Sequence, residues 1–248
     1  MAAPVQTAVT ADNDSITSIS ASFASPVTSG NCVVLAVSTG ATGQTFTVTD
    51  DKGNSYTLLD HVTDSSNSQD LATFVLGNIT NGPETITVTY GSEAGTNILM
   101  LAEYGGVFAA ANPVDKHKAA ITASTKSPSS GAVTTTVNGD NIVSFINCTS
   151  ALAGGFILSA GSGFTKRLDH NTSGDIDMAL QDMVQTTAGS VAGAWSSNTA
   201  KKFGASVIAL KPVGSTAWAI SAGLGVQSAI SLVFQNLKSV FSKVWAQK

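Results

Sequence analysis

Two kinds of hydrophobic pattern run through the first 213 residues. In Thr45-Phe46-Thr47-Val48-Thr49 and Thr85-Ile86-Thr87-Val88-Thr89-Tyr90, apolar and hydroxyl side chains alternate, so a strand built from them carries its apolar residues on one face and threonine on the other. Such strands are half buried. In Cys32-Val33-Val34-Leu35-Ala36-Val37, Ile98-Leu99-Met100-Leu101-Ala102 and Ala205-Ser206-Val207-Ile208-Ala209-Leu210 the alternation gives way to nearly continuous apolar runs, the pattern of central strands. Turn signals separate the segments at Asp51-Lys52-Gly53-Asn54, Asn81-Gly82-Pro83, Asn138-Gly139-Asp140 and Gly161-Ser162-Gly163. No helical period of ten or more residues interrupts them. The prediction is an all-β, antiparallel sandwich of jelly-roll type.

The pattern also repeats. Gly30-Asn31-Cys32-Val33-Val34 and Tyr56-Thr57-Leu58-Leu59-Asp60-His61 recur as Gly139-Asp140-Asn141-Ile142-Val143 and Phe164-Thr165-Lys166-Arg167-Leu168-Asp169-His170. Leu71-Ala72-Thr73-Phe74-Val75-Leu76, followed by a Gly82 turn, recurs as Met178-Ala179-Leu180-Gln181-Asp182-Met183, followed by a Gly189 turn. Apolar strands around Met100 and Val207 close the two halves. The offset stays near 107 to 109 residues throughout, which predicts two half-units of seven or eight strands, 1–112 and 113–213. Each half is long enough for its own small sandwich. Two tandem jelly rolls or one merged sandwich both fit, and the short connection at Asn112-Pro113-Val114, without linker composition, favours a closely packed pair.

After Val213 the period changes. Ile230, Val233, Phe234, Leu237, Phe241, Val244 and Trp245 fall on one helical stripe, and Lys238, Lys243 and Lys248 lie towards the end of the segment, where cations complement a helix dipole. This predicts an amphipathic helix within 214–248. Three roles compete: packing on the sandwich or on symmetry mates, lying on a membrane surface, and spanning a membrane. Ser221, Gln227, Ser228, Ser231, Gln235 and Asn236 interrupt the last too often.

Charge sharpens this division. The net charge of −4 resolves into nine basic against sixteen acidic residues up to Gly214, and three lysines with no acid after it. Without a basic surplus on the sandwich, nucleic-acid binding is not expected. With 43% hydrophobic and 11% charged residues the chain can fill a core, which excludes general disorder. Sixty of the 248 residues are Ser or Thr, in keeping with strands and turns. The N-terminal Met1-Ala-Ala-Pro-Val lacks a secretory pattern, so synthesis in the cytoplasm is expected.

Candidate chemistry is sparse. G-x-S-x-G, H-E-x-x-H, Walker, C-x-x-C and dinucleotide motifs are all absent, and three His with two Cys leave little for a metal or nucleophilic centre. A non-enzymatic protein without cofactor or metal is expected. Cys32 and Cys148 occupy non-equivalent repeat positions and are expected to be buried thiols. Asp60-His61 and Asp169-His170 recur, but strand neighbours point to opposite faces, so neither pair forms a dyad by adjacency, and solvated strand ends are expected. Asp50-Asp51-Lys52-Gly53-Asn54 has oxygens like part of a calcium loop, yet no downstream bidentate Glu, and a hairpin turn accounts for it. Sugar binding would draw on Trp195, Tyr56, Tyr90 or Tyr104, and hydrolysis on Glu84, Glu93 or Glu103.

The stretch Val48-Thr49-Asp50-Asp51-Lys52-Gly53-Asn54-Ser55-Tyr56-Thr57, with the Thr-rich strand after Gly82 and Leu101-Ala102-Glu103-Tyr104-Gly105-Gly106, resembles β-sandwich structural proteins of bacteriophage virions and bacterial surfaces. The likeness covers residues 30 to 212 and rests on turns and strands. It implies a structural or adhesive role: a capsid, decoration, spike or fibre subunit located in the virion. Tandem jelly rolls with a basic amphipathic helix also resemble capsid proteins of phages with an internal membrane. The partners expected are copies of the chain or other virion proteins, with 214–248 contacting a membrane surface or a partner. The alternative is a carbohydrate-binding surface or adhesion module.

Overall fold

A computed structural model of the chain describes residues 3–107, 110, 112–149, 156–171 and 176–214. The chain divides after Val213, and the helical stripe from Ile230 to Trp245, with Lys238, Lys243 and Lys248, lies outside the described residues. The first unit is all-β. Its strands are β1 (Gln6–Asp12), β2 (Ile16–Ser22), β3 (Cys32–Thr39), β4 (Phe46–Asp50), β5 (Thr57–Asp64), β6 (Gln69–Leu76), β7 (Thr85–Ala94) and β8 (Asn97–Tyr104). Eight more follow: β9 (Val114–Thr125), β10 (Ser129–Thr134), β11 (Asp140–Thr149), β12 (Leu158–Ala160), β13 (Thr165–His170), β14 (Ile176–Gln185), β15 (Ser190–Ser197) and β16 (Lys201–Leu210).

All the strand pairings are antiparallel. A five-stranded sheet in the order β1-β8-β3-β6-β5 and a three-stranded sheet β2-β7-β4 hold the first eight strands. The next eight repeat both orders strand for strand, as β9-β16-β11-β14-β13 and β10-β15-β12. Even an irregularity recurs: β5 carries a bulge between Leu58 and Asp60 against β6, and β13 carries one between Lys166 and Leu168 against β14. Counted from the bulges, Asp60 corresponds to Leu168 and His61 to Asp169. The Asp-His dipeptides therefore slip by one and are not structural equivalents, because a one-residue slip in a strand exchanges its faces.

The layers explain the two hydrophobic patterns. Val33, Leu35, Val37, Ala72, Phe74, Leu99 and Leu101 face Ile19, Ile86, Val88 and Tyr90 across the first half's own core. The opposite face of that same five-stranded sheet, with Val34, Ala36, Leu71, Met100 and Tyr104, packs on Val143, Phe145, Met178, Leu180 and Ile208 of the other five-stranded sheet. That second sheet packs on its three-stranded partner through two clusters, one around Ile146, Trp195 and Phe203, the other around Ile142, Val191 and Val207. The order is thus four layers, with both large sheets covered on both faces. Every residue of β3 and β8 is buried, so these strands need apolar side chains on both sides. β2, β4 and β7 have one solvated face, where Ser18, Ser20, Thr47, Thr49 and Thr89 are exposed.

Contacts between halves have twofold character. β5 lies against β9, and β13 lies against β1, a pair of contacts exchanged when each strand is swapped for its repeat partner. Gly204 leaves room for a bridge between the halves: a Cβ there would come within 2.3 Å of Oδ1 of Asn147, its neighbour in the same sheet, whose Nδ2 bonds Ser38 of the first half.

Candidate functional site

Polar side chains gather among the apolar layers of the large sheets, and several of them bridge the halves. Asn147 Nδ2 donates to Ser38 Oγ at 2.7 Å, and Lys202 Nζ donates to Ser66 Oγ at 2.7 Å. Asp60 and His61 part company, as their opposed directions on β5 require: Asp60 Oδ2 lies 3.0 Å from His117 Nδ1 of the second half, whereas His61 Nε2 lies 3.0 Å from buried Asp70 within its own. Asp169 pairs with Lys166. His61 and Asp169 are exposed, as expected of solvated positions, yet Asp60, His61 and Asp169 each have a partner, and Asp60 and His61 turn to different ones.

A cleft of about 200 Å³ opens at one end of the inter-half core and is lined in part by Asn141, Thr165, Arg167 and Asp182. Arg167, the extra residue of the β13 bulge, donates from Nε to Asp182 Oδ1 at 2.7 Å, and Tyr104 of the first half donates to Asp182 Oδ2 at 3.2 Å. Burial pushes the Asp182 carboxyl above its ordinary range, and the bonds from Arg167 and Tyr104 oppose the shift. The cleft's one charged pair is self-neutralising and ties the halves together.

The turn at Asp50-Asp51-Lys52-Gly53-Asn54 uses its own oxygens. Asp50 accepts from the Lys52 and Asn54 amides, from Asn54 Nδ2 and from the Tyr56 hydroxyl, and Asp51 accepts from the Glu84 and Thr85 amides. That arrangement is a turn fixed by side chains, but not the expected hairpin: β4 pairs with β7 and β5 with β6, so the turn carries the chain from the smaller sheet to the larger one. Trp195, Tyr90 and Tyr104 are buried, with Trp195 Nε1 donating to Ser144 Oγ at 2.9 Å, so none of them forms an exposed stacking platform. Cys32 and Cys148 are buried free thiols, and burial raises both.

Two corners related by the repeat hold the buried carboxylates of greatest interest. At the β1/β8/β3 corner, Glu103 is fully buried and accepts from Gln6 Nε2 at 2.6 Å, from the Thr28 amide at 2.9 Å and from Asn31 Nδ2 at 2.5 Å. At the matching β9/β16/β11 corner, Asp140 is fully buried and neither of its carboxyl oxygens has a hydrogen-bond donor. Its neighbour is a second carboxylate, Asp115, within hydrogen-bonding reach. Asp115 itself accepts from the amide and the hydroxyl of Thr136, each at 2.5 Å. Burial first, then Asp115, pushes the Asp140 carboxyl up to about 7, and Lys211 opposes the shift. From the sequence Glu103 stands out only as a candidate hydrolytic acid and Asp140 only as part of a turn. The signal available was one acid closing an apolar run, as Glu103 closes Ile98–Ala102 and Asp140 opens Ile142–Ile146.

Among the described residues, no group of three or more His, Cys, Asp or Glu side chains is arranged to hold a metal ion. Comparison with protein-family models, with curated proteins and with solved structures gives no match to this chain.

Proposed function

We propose that the chain is a non-enzymatic structural subunit of a virion, a capsid or capsid-associated decoration, spike or fibre protein, that assembles through its β-sandwich surfaces. The observation that carries this reading is the duplication. Two eight-stranded units with one strand order are fused through a continuous apolar core between their large sheets, which makes a rigid block suited to symmetric packing. The order β1-β8-β3-β6 facing β2-β7-β4 supports reading each half as a jelly roll in which β5 joins the larger sheet. The buried acids and the Arg167–Asp182 pair serve the packing, and Trp195, Tyr90 and Tyr104 are committed to cores, which leaves the carbohydrate-binding alternative with less support.

In this reading residues 214–248 supply a contact to a partner or a membrane surface through Ile230, Val233, Phe234, Leu237, Phe241, Val244 and Trp245, with Lys238, Lys243 and Lys248 on the basic side. Sedimentation velocity and negative-stain microscopy of the full chain over a hundredfold concentration range test the assembly claim. Closed symmetric oligomers are expected. A monomer at every concentration overturns it. Flotation with anionic vesicles, comparing the full chain with its Phe241→Asp variant, tests the tail: equal flotation removes the membrane role.

A further inference from the structure

The Asp115–Asp140 corner sets a charge problem that the fold itself does not solve. Two carboxylates in contact, one with no hydrogen-bond donor and no exposed surface, cannot both stay ionised at low cost. The groups facing Asp140 are few. β9 contributes Asp115, and Lys211 lies just past β16. β14 places Gln185 opposite it in register, and that side chain is engaged with Thr135. The connection from β10 adds Thr136, already bound to Asp115. Lys211 offsets one of two negative charges and one remains. A proton balances it, whereas a divalent cation would overshoot and meet the lysine's repulsion.

We propose that this corner is a proton-operated clasp, in which one proton held between Asp115 and Asp140 ties the start of β9 to the start of β11, and loss of that proton as pH rises opens the corner. The first half supplies the internal control, since its buried Glu103 is held by three donors at the corresponding place and has no second acid against it. The sign follows from linkage. A carboxyl that holds its proton more tightly in the closed corner than in the open one contributes stability that is complete below its ordinary value of 3.8 and falls until pH reaches about 7. Above that the loss is constant. When Asp140 ionises, Asp115 is pushed away from it, which strains the two bonds from Thr136 and with them the turn at Asn138-Gly139.

Hydrogen exchange of the full chain at pH 6 and pH 8, corrected for the intrinsic pH dependence of exchange, reads the clasp directly. Amides in 115–118 and 135–141 are expected to lose roughly tenfold in protection between the two, while those around Glu103 and Asn31 stay level. Asp140→Asn, which removes the titration at nearly the same volume, is expected to make 115–118 and 135–141 equally protected at both pH values. Should that variant misfold, Asp115→Asn removes the same repulsion and carries the same expectation. Equal protection of the unsubstituted chain at pH 6 and 8, or a pH response that survives in both variants, overturns the clasp. So does protection at pH 8 restored by millimolar calcium in the unsubstituted chain alone, since the pair would then be holding a cation. None of these outcomes depends on the proposed virion role.

Discussion

The two corners occupy equivalent positions in the repeated fold and handle buried charge in opposite ways. Glu103 brings one carboxylate to three donors, one from β1 and two from the loop before β3. Asp140 faces another acid and no donor, so its neutral form is the one that fits. The apolar residues of the two corners do equivalent work, since both sheets are closed on both faces by the same strand order. The difference teaches that burial fixes where a polar group sits, while the few donors within 3 Å fix its charge. A duplicated fold can therefore hold a donor-satisfied carboxylate in one half and a pair of acids in the other.

Removing the acid of the donor-rich corner should have the largest effect. Glu103→Leu removes a buried acceptor from three partly buried donors and should cost about 2–4 kcal/mol, measured as a fall in the urea midpoint with the slope unchanged. Glu103→Gln, which keeps an acceptor, should recover part of it. Next comes transplanting one corner's logic into the other. Asn31→Asp replaces a donor to Glu103 with a second acid and should destabilise the chain by about 1–3 kcal/mol at pH 8, the penalty fading as the pH falls towards 5 because the new pair then takes up a proton. An equal penalty at both pH values would show that lost packing, not charge, governs the corner.

The reverse change at the other corner should stabilise. Asp140→Asn should gain about 2–3 kcal/mol more at pH 8 than at pH 5, read from urea midpoints at both, since the unsubstituted chain goes on losing stability between them until the native carboxyl ionises near pH 7. A loss at pH 8 would mean that the acid pair is held together by something other than a proton. The smallest effect belongs to the half-exposed Asp60–His117 pair. His117→Ala should cost no more than about 1 kcal/mol, and less in high salt, so a larger loss would mark that bridge as a principal link between halves.

Much of the fold was legible in the chain. Strict alternation in Thr45–Thr49 and Thr85–Tyr90 marked strands with one wet face, and β4 and β7 lie in a three-stranded outer sheet. Continuous runs at Val33–Val37 and Ile98–Ala102 marked strands covered twice, and β3 and β8 lie in a large inner sheet. The turn at Asp50–Asn54 could be read because Asp50 bonds groups within six residues, whereas the bonds from Asp51 to the Glu84 and Thr85 amides and the change of sheet could not. The recurrent Asp-His dipeptides misled the alignment of the halves, because a β-bulge shifts the faces by one residue without any composition signal of its own. Glu103, considered as a hydrolytic acid, has its partners 72 to 97 residues away in sequence, and no local pattern announces them.

The sequence by itself determined the all-β class of structure and the burial of its most regular strands, because these follow from the period of apolar side chains and from turn chemistry within a few residues. Only the tertiary structure decided that the halves stack through their large sheets and that Asp115 meets Asp140, since both depend on which distant strands become neighbours. Period tells a strand how many of its faces are covered. It does not tell a carboxylate whether the group across the gap is a donor or another acid, and in this protein that choice separates a corner of three donors from a corner of two acids.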